Sequence, residues 1–114
     1  LDGGALMMHH EATLTGMPMP FHGLGIQTWD RETKQWQMVW IDNMACRTTL
    51  YTGPAEKDGK IVVTGEEMWG GMRMTSRITT TNMKPDSFDW LMETSMDGGQ
   101  TWFESGKAVY TRIK

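Results

Sequence analysis

The chain has 114 residues, enough for one domain with one core. Eleven Lys and Arg against fourteen Asp and Glu give a net charge of −3, which makes no electrostatic case for nucleic acid and leaves no polybasic tract for an anionic membrane. No apolar run approaches the roughly 20 residues of a membrane-spanning helix, so no membrane insertion is expected.

No signal peptide is visible, and the compartment stays open. The single Cys46 excludes an intramolecular disulfide and reads as a small buried hydrophobe. The anomalies are twelve Met and six Trp: the chain is methionine-rich, and Met is over-used where a surface must adapt to what it binds.

The first strand is expected at about Ala5–Thr13. Thr15-Gly16-Met17-Pro18-Met19-Pro20 ends it, because two prolines cannot both sit in a paired strand. The second runs from about Phe21 to Trp29, where Gly23 and Gly25 leave one face thin and predict a bend or the close approach of another group. A polar loop, residues 30–35, leads to the third strand, Trp36–Asp42. Trp36, Met38 and Trp40 share one of its faces, and Val39 and Ile41 offer a rival apolar face; side-chain area favours the tryptophans.

The fourth strand is expected at Cys46–Thr52, followed by a charged turn with an Asp58-Gly59 pair, and the fifth at Lys60–Glu66. Met68-Trp69-Gly70-Gly71 reads as an irregular apolar link. The sixth, Met72–Thr80, sets Met72, Met74, Ser76 and Ile78 against Arg73, Thr75, Arg77 and Thr79, with the arginines outward. In the seventh, Phe88, Trp90 and Met92 oppose Asp89 and Glu93. Ser95–Trp102 then reads as a tight hairpin whose Asp-Gly-Gly supplies the positive-φ positions, and an eighth strand follows.

Eight alternating segments with short loops and no sustained 3.6-residue period predict an all-β antiparallel meander. Closing into a barrel is the best protection for its edges; a two-layer sandwich would need longer crossovers. A barrel of this size has room for filling side chains or for one small ligand.

Residues 16–25 (Gly-Met-Pro-Met-Pro-Phe-His-Gly-Leu-Gly), then Trp29-Asp30, Trp40-Ile41-Asp42, Asp58-Gly59-Lys60 and Tyr110-Thr111-Arg112 occur in that order. With these motifs, over nearly its whole length, the chain resembles a bacterial family of uncharacterised proteins with a lipocalin-like (calycin) barrel. Relatives begin with a strand of the Gly-x-Trp type that this sequence lacks, so the resemblance implies a trimmed first strand or a barrel open at one side. It implies the fold and carries no catalytic residues. Ser95-x-Asp97-x-Gly99-x-Thr101-Trp102 also resembles the Asp-box of sialidases and related propellers, but it occurs once in a chain too short for a propeller and reads as a hairpin staple.

Met7-Met8-His9-His10, with Met17, Met19 and His22, is the densest set of potential metal ligands. His9 and His10 point to opposite faces of a strand and no structural-zinc spacing is present, so neither a metal site nor a cofactor is expected. Among carboxylates on or near strands, Glu66, Glu67, Asp89 and Glu93 read as solvated; Asp42, ending the most aromatic strand, is the candidate for acid–base work. No nucleophile elbow or phosphate-cradling glycine loop is present.

The leading expectation is noncatalytic binding of a small apolar ligand in the barrel, lined by Trp36, Met38, Trp40, Met72, Met74, Phe88, Trp90 and Met92. The alternative is a barrel filled by these residues that acts as a structural or protein-interaction module. An enzyme using one buried carboxylate ranks below both. A homodimer is compatible with each, since an open barrel edge invites strand pairing.

Overall fold

The computed structural model describes residues 5–12, 21–43 and 47–112, with backbone alone for 5–12, 21 and 69. Eight strands follow one another: β1 (Ala5–Ala12), β2 (Phe21–Asp30), β3 (Gln35–Asp42), β4 (Thr48–Gly53), β5 (Ile61–Trp69), β6 (Met72–Thr81), β7 (Ser87–Ser95) and β8 (Phe103–Thr111). They form a single antiparallel sheet in the order β1 to β8, each strand beside the next in sequence. The first and last are not hydrogen-bonded neighbours, so this meander is a curled half-barrel rather than a closed one. The expected proline break at 15–20 and Cys46 lie outside the described residues.

Two expected connections are corrected. Met68 and Trp69 belong to β5, paired with Arg73 and Met72, and the link shrinks to Gly70-Gly71. Both glycines have positive φ, 55° and 81°, the twist that a two-residue hairpin requires. The β7–β8 connection is longer than a tight turn: β7 ends at Ser95 and β8 begins at Phe103. Its backbone is held by side chains. The Asp97 carboxylate accepts from the N–H groups of Gln100 (3.1 Å) and Thr101 (2.9 Å) and from the hydroxyls of Ser95 and Thr101. Ser95 Oγ accepts from the Gly99 N–H at 2.9 Å. Gly98 and Gly99 take the positive φ values, 77° and 97°, that this path demands. The Thr101 hydroxyl first, then its N–H and the Ser95 hydroxyl, hold the Asp97 carboxyl well below its usual range.

The period-two pattern decides which face is buried. On β3, Met38 and Trp40 are 0% and 6% exposed, whereas Val39 and Ile41 are 41% and 44% exposed. The tryptophan face therefore wins, as its larger area predicts. The core comprises Met38, Trp40, Tyr51, Ile61, Val63, Ile78 and Trp90, with Trp36, Phe88, Met92, Ala108 and Tyr110 packed against it. Trp40 on β3 and Trp90 on β7 are four strands apart, about 19 Å in a flat sheet. Their ring centroids lie 6.1 Å apart, stacked at 28°. The accumulated twist has brought the two arms of the sheet face to face.

Candidate functional site

Among the described residues, the concave face gathers Trp29, Trp36, Trp40 and Trp90 with Met38, Met74 and Met92. One aromatic pair lies where β2 finishes and β3 begins, and another where β7 begins and β8 finishes. Trp29 and Trp36, directly opposite across β2 and β3, meet edge to face with centroids 5.4 Å apart. Phe88 and Tyr110, directly opposite across β7 and β8, stack at 5.1 Å. Trp36, Phe88 and Tyr110 are half-buried. Burial pushes the Tyr110 phenol up to about 12, so it remains protonated at neutral pH. The Trp36 indole N–H is buried and has no hydrogen-bond acceptor among the described residues.

The middle of the face is filled. The Trp40 and Trp90 rings stack there, and a Cβ on Gly23 would lie 2.2 Å from the Trp40 indole. The thin face expected at Gly23 is therefore occupied by Trp40, and the strand approach requires glycine there.

The concave face also carries polar groups. Trp40 Nε1 donates to Asp42 Oδ2 at 2.8 Å. Tyr51 donates its hydroxyl to Glu67 Oε1 at 2.6 Å, and Ser76 donates to Glu67 Oε2 at 3.2 Å. Burial first, then the hydrogen bond to Glu67 and the nearby charges of Glu67 and Asp42, raise the Tyr51 phenol far above its ordinary 10.0. Tyr51 therefore carries its proton throughout the physiological range and acts as a fixed donor to Glu67. Both Glu67 oxygens are engaged from within the sheet.

Among the sequence-derived candidates, Trp36, Met38, Trp40, Met74, Phe88, Trp90 and Met92 fall on the concave face, buried or half-buried. Met72 shares that alternation but sits at the strand end beside Gly70-Gly71 and is half exposed, which removes it from the interior. Of the carboxylates, Asp42 and Glu67 take the concave side, while Glu66 pairs with Arg73 in solvent and Glu93 pairs with Arg77 at 2.9 Å. The arginines face outward, as the alternation on β6 predicts. Tyr51, Ser76 and Tyr110 were missing from the sequence-derived set. Thr48, Leu50 and Thr52 against Thr49 and Tyr51 is a weak alternation, and only the Tyr51 ring area pointed to its face. His22 is exposed, and among the described residues no three His, Cys, Asp or Glu side chains group as metal ligands.

A family model of proteins of unknown function, DUF1579, matches residues 1–112. The chain belongs to the DUF1579 family. No curated protein and no solved structure matches it. Membership agrees with the uncharacterised-family resemblance drawn from the motifs and brings no catalytic residues to the concave face of this DUF1579 protein.

Proposed function

We propose that this DUF1579 protein is a noncatalytic binder of a small, largely apolar ligand, held beside Trp29 and Trp36 on the concave face. The proposal places it among lipocalin-like (calycin) barrels of bacterial origin, on the strength of the sequence motifs. The observation that carries the binding reading is the Trp36 indole N–H. More than nine in ten buried polar groups have a partner, and a donor left without one calls for an acceptor from elsewhere. Beside it, Trp29 offers a half-buried ring 5.4 Å away. A flat apolar molecule with one carbonyl suits such surroundings, its rings stacking on the aromatics and its oxygen accepting from Trp36.

The second reading is a filled barrel that serves as an interaction module, and the Trp40–Trp90 stack favours it. Titration with prodan, a neutral naphthyl ketone, separates the two. The binding reading expects saturable, one-to-one quenching of tryptophan fluorescence. Trp36→Phe keeps the apolar shape but removes the donor, and is expected to weaken prodan by about 5- to 50-fold. N-phenyl-1-naphthylamine, which lacks the carbonyl, should be far less affected. Absence of saturable quenching by either probe up to about 0.1 mM would reject the binding reading.

A further inference from the structure

Along the inward face of β2, Gly23 and Gly25 precede Gln27 and Trp29. Register fixes their neighbours. Gln27 stands opposite Met38 and Trp29 opposite Trp36, so Gln27 and Trp36 are diagonal neighbours on the concave face. Diagonal neighbours lie about 7–8 Å apart, within reach of long side chains. Gln27 is only 7% exposed, as buried as the apolar core beside it. Its carboxamide carries two N–H donors and one acceptor oxygen. None of these makes a hydrogen bond among the described residues. The Trp36 indole N–H is likewise buried without an acceptor, so the two side chains are not bonded to each other. The Trp40 ring, opposite Gly25, leans the other way, over Gly23, and donates to Asp42. Burying polar groups in this way costs free energy that only a partner offsets.

We propose that Gln27 is a specificity-determining residue of the site beside Trp29 and Trp36, and that it selects aromatic lactams, planar ligands whose carbonyl adjoins a ring N–H. The assignment rests on the binding reading of this face and names the class of ligand it takes. The lactam N–H donates to Gln27 Oε1, and Gln27 Nε2 donates back to the lactam carbonyl. The second lone pair of that carbonyl accepts from the Trp36 N–H. In an open-chain trans amide the N–H and C=O point opposite ways, so only an amide held cis in a ring offers both to one carboxamide. A plain ketone would satisfy Trp36 and leave Gln27 Oε1 unpaired.

Charge selects the lactam over a carboxylate. Among the described residues, the inward positions of β2, β3 and β4 hold no Lys or Arg, and the one charged residue among them is Asp42. A carboxylate would lose its water without gaining a counter-charge, and it too would leave the Gln27 oxygen unpaired.

Two probes that differ in one group test this: 2-quinolinone, a fused lactam, and N-methyl-2-quinolinone, which keeps the rings and the carbonyl and lacks the N–H. Each is titrated into the whole chain by tryptophan quenching. The wild type is expected to bind 2-quinolinone about 5- to 30-fold more tightly than its N-methyl form. Gln27→Met keeps the side-chain length and removes the amide. It should bring that ratio close to one while moving the affinity for the N-methyl form by less than about 3-fold. Far-UV circular dichroism establishes that the variant is folded, and Gln27→Leu takes its place if it is not. Equal affinities of the wild type for the two quinolinones overturn the role of Gln27 and leave the binding reading standing, as does saturable quenching by prodan with none by either quinolinone. A ratio that survives in folded Gln27→Met also overturns it, because the bulk of the methyl group then discriminates. Absence of saturable quenching by prodan, N-phenyl-1-naphthylamine and both quinolinones rejects the binding reading and the role of Gln27 together.

Discussion

The two arms of the sheet, β2–β4 and β5–β8, solve their inner faces alike and their outer faces differently. Inside, each contributes large apolar groups, Met38, Trp40 and Tyr51 from one and Ile61, Val63, Ile78 and Trp90 from the other. Neither set can leave water without the other, so the same pressure acts on both. Outside, no such coupling exists. The second arm mixes threonines and an ion pair with separate apolar residues, Met68 and Val109 among them, and anchors its loop: the Arg77 guanidinium sits 4.0 Å over the Trp102 ring while pairing with Glu93, and Trp102 Nε1 donates to the Gly99 carbonyl. The first arm exposes Leu24, Ile26, Val39, Ile41 and Leu50. Inner composition is thus set by folding, which leaves outer composition free to differ.

The largest test of this contrast removes one tryptophan from each arm. Trp40→Ala and Trp90→Ala are each expected to cost about 3–5 kcal/mol in chemical denaturation. The double variant should cost about 1 kcal/mol less than the sum, because the rings stack on each other. Strict additivity would break the claim that the arms share one core.

Next in size is the β7–β8 loop. Gly98→Val forces a β-branched residue to φ near +77° and should lose about 1–3 kcal/mol. Gln100→Ala, which removes only an exposed side chain, should stay within about 0.5 kcal/mol. Equal unfolding midpoints would refute the loop's dependence on positive φ. Arg77→Ala, which removes a partly exposed ion pair and its contact with Trp102, is expected to cost about 1 kcal/mol. Its measurable signature is a red shift of the Trp102 emission as the ring gains water.

The same loop predicts an acid response. The Asp97 carboxyl titrates below its ordinary 3.8 in the folded chain, so the folded state binds this proton less tightly than the unfolded state does. Its stabilisation is complete above that ordinary value and is lost as pH falls below it toward the folded value. Asp97→Asn should lower the melting temperature above about pH 4 and flatten its fall below that. An acid limb as steep in the variant as in the wild type would assign that limb to other carboxylates. The smallest effect belongs to the outer face of the first arm, where Val39→Thr should leave stability unchanged within about 0.5 kcal/mol, as expected of a surface position.

Much of this was legible in the residues. The number and order of strands, the buried faces of β3 and β7, the outward arginines of β6 and the positive-φ glycines of the 95–102 loop all follow from local rules. Alternation has period two, and turns need particular residues, so a few neighbours suffice to decide each. Other features were not legible. β4 offered a weak alternation, and Tyr51 was missed as the donor that meets Glu67 from the next strand. Met68 and Trp69 resembled a link because their apolar character continues up to two glycines, yet pairing with β6 keeps them in β5.

The sequence by itself thus determined an antiparallel meander, the face each clearly patterned strand buries and the staple that closes the 95–102 loop. Tertiary structure alone decided that the sheet curls without closing, that Trp40 meets Trp90 across four strands, and that the Trp36 N–H is buried without an acceptor among the described residues. It also decided that five aliphatic residues from three strands merge into one outer patch. The physical reason is the same in each case. Curl is the sum of small twists over every strand pair, and adjacency across strands depends on register, so neither is carried by a residue and its sequence neighbours.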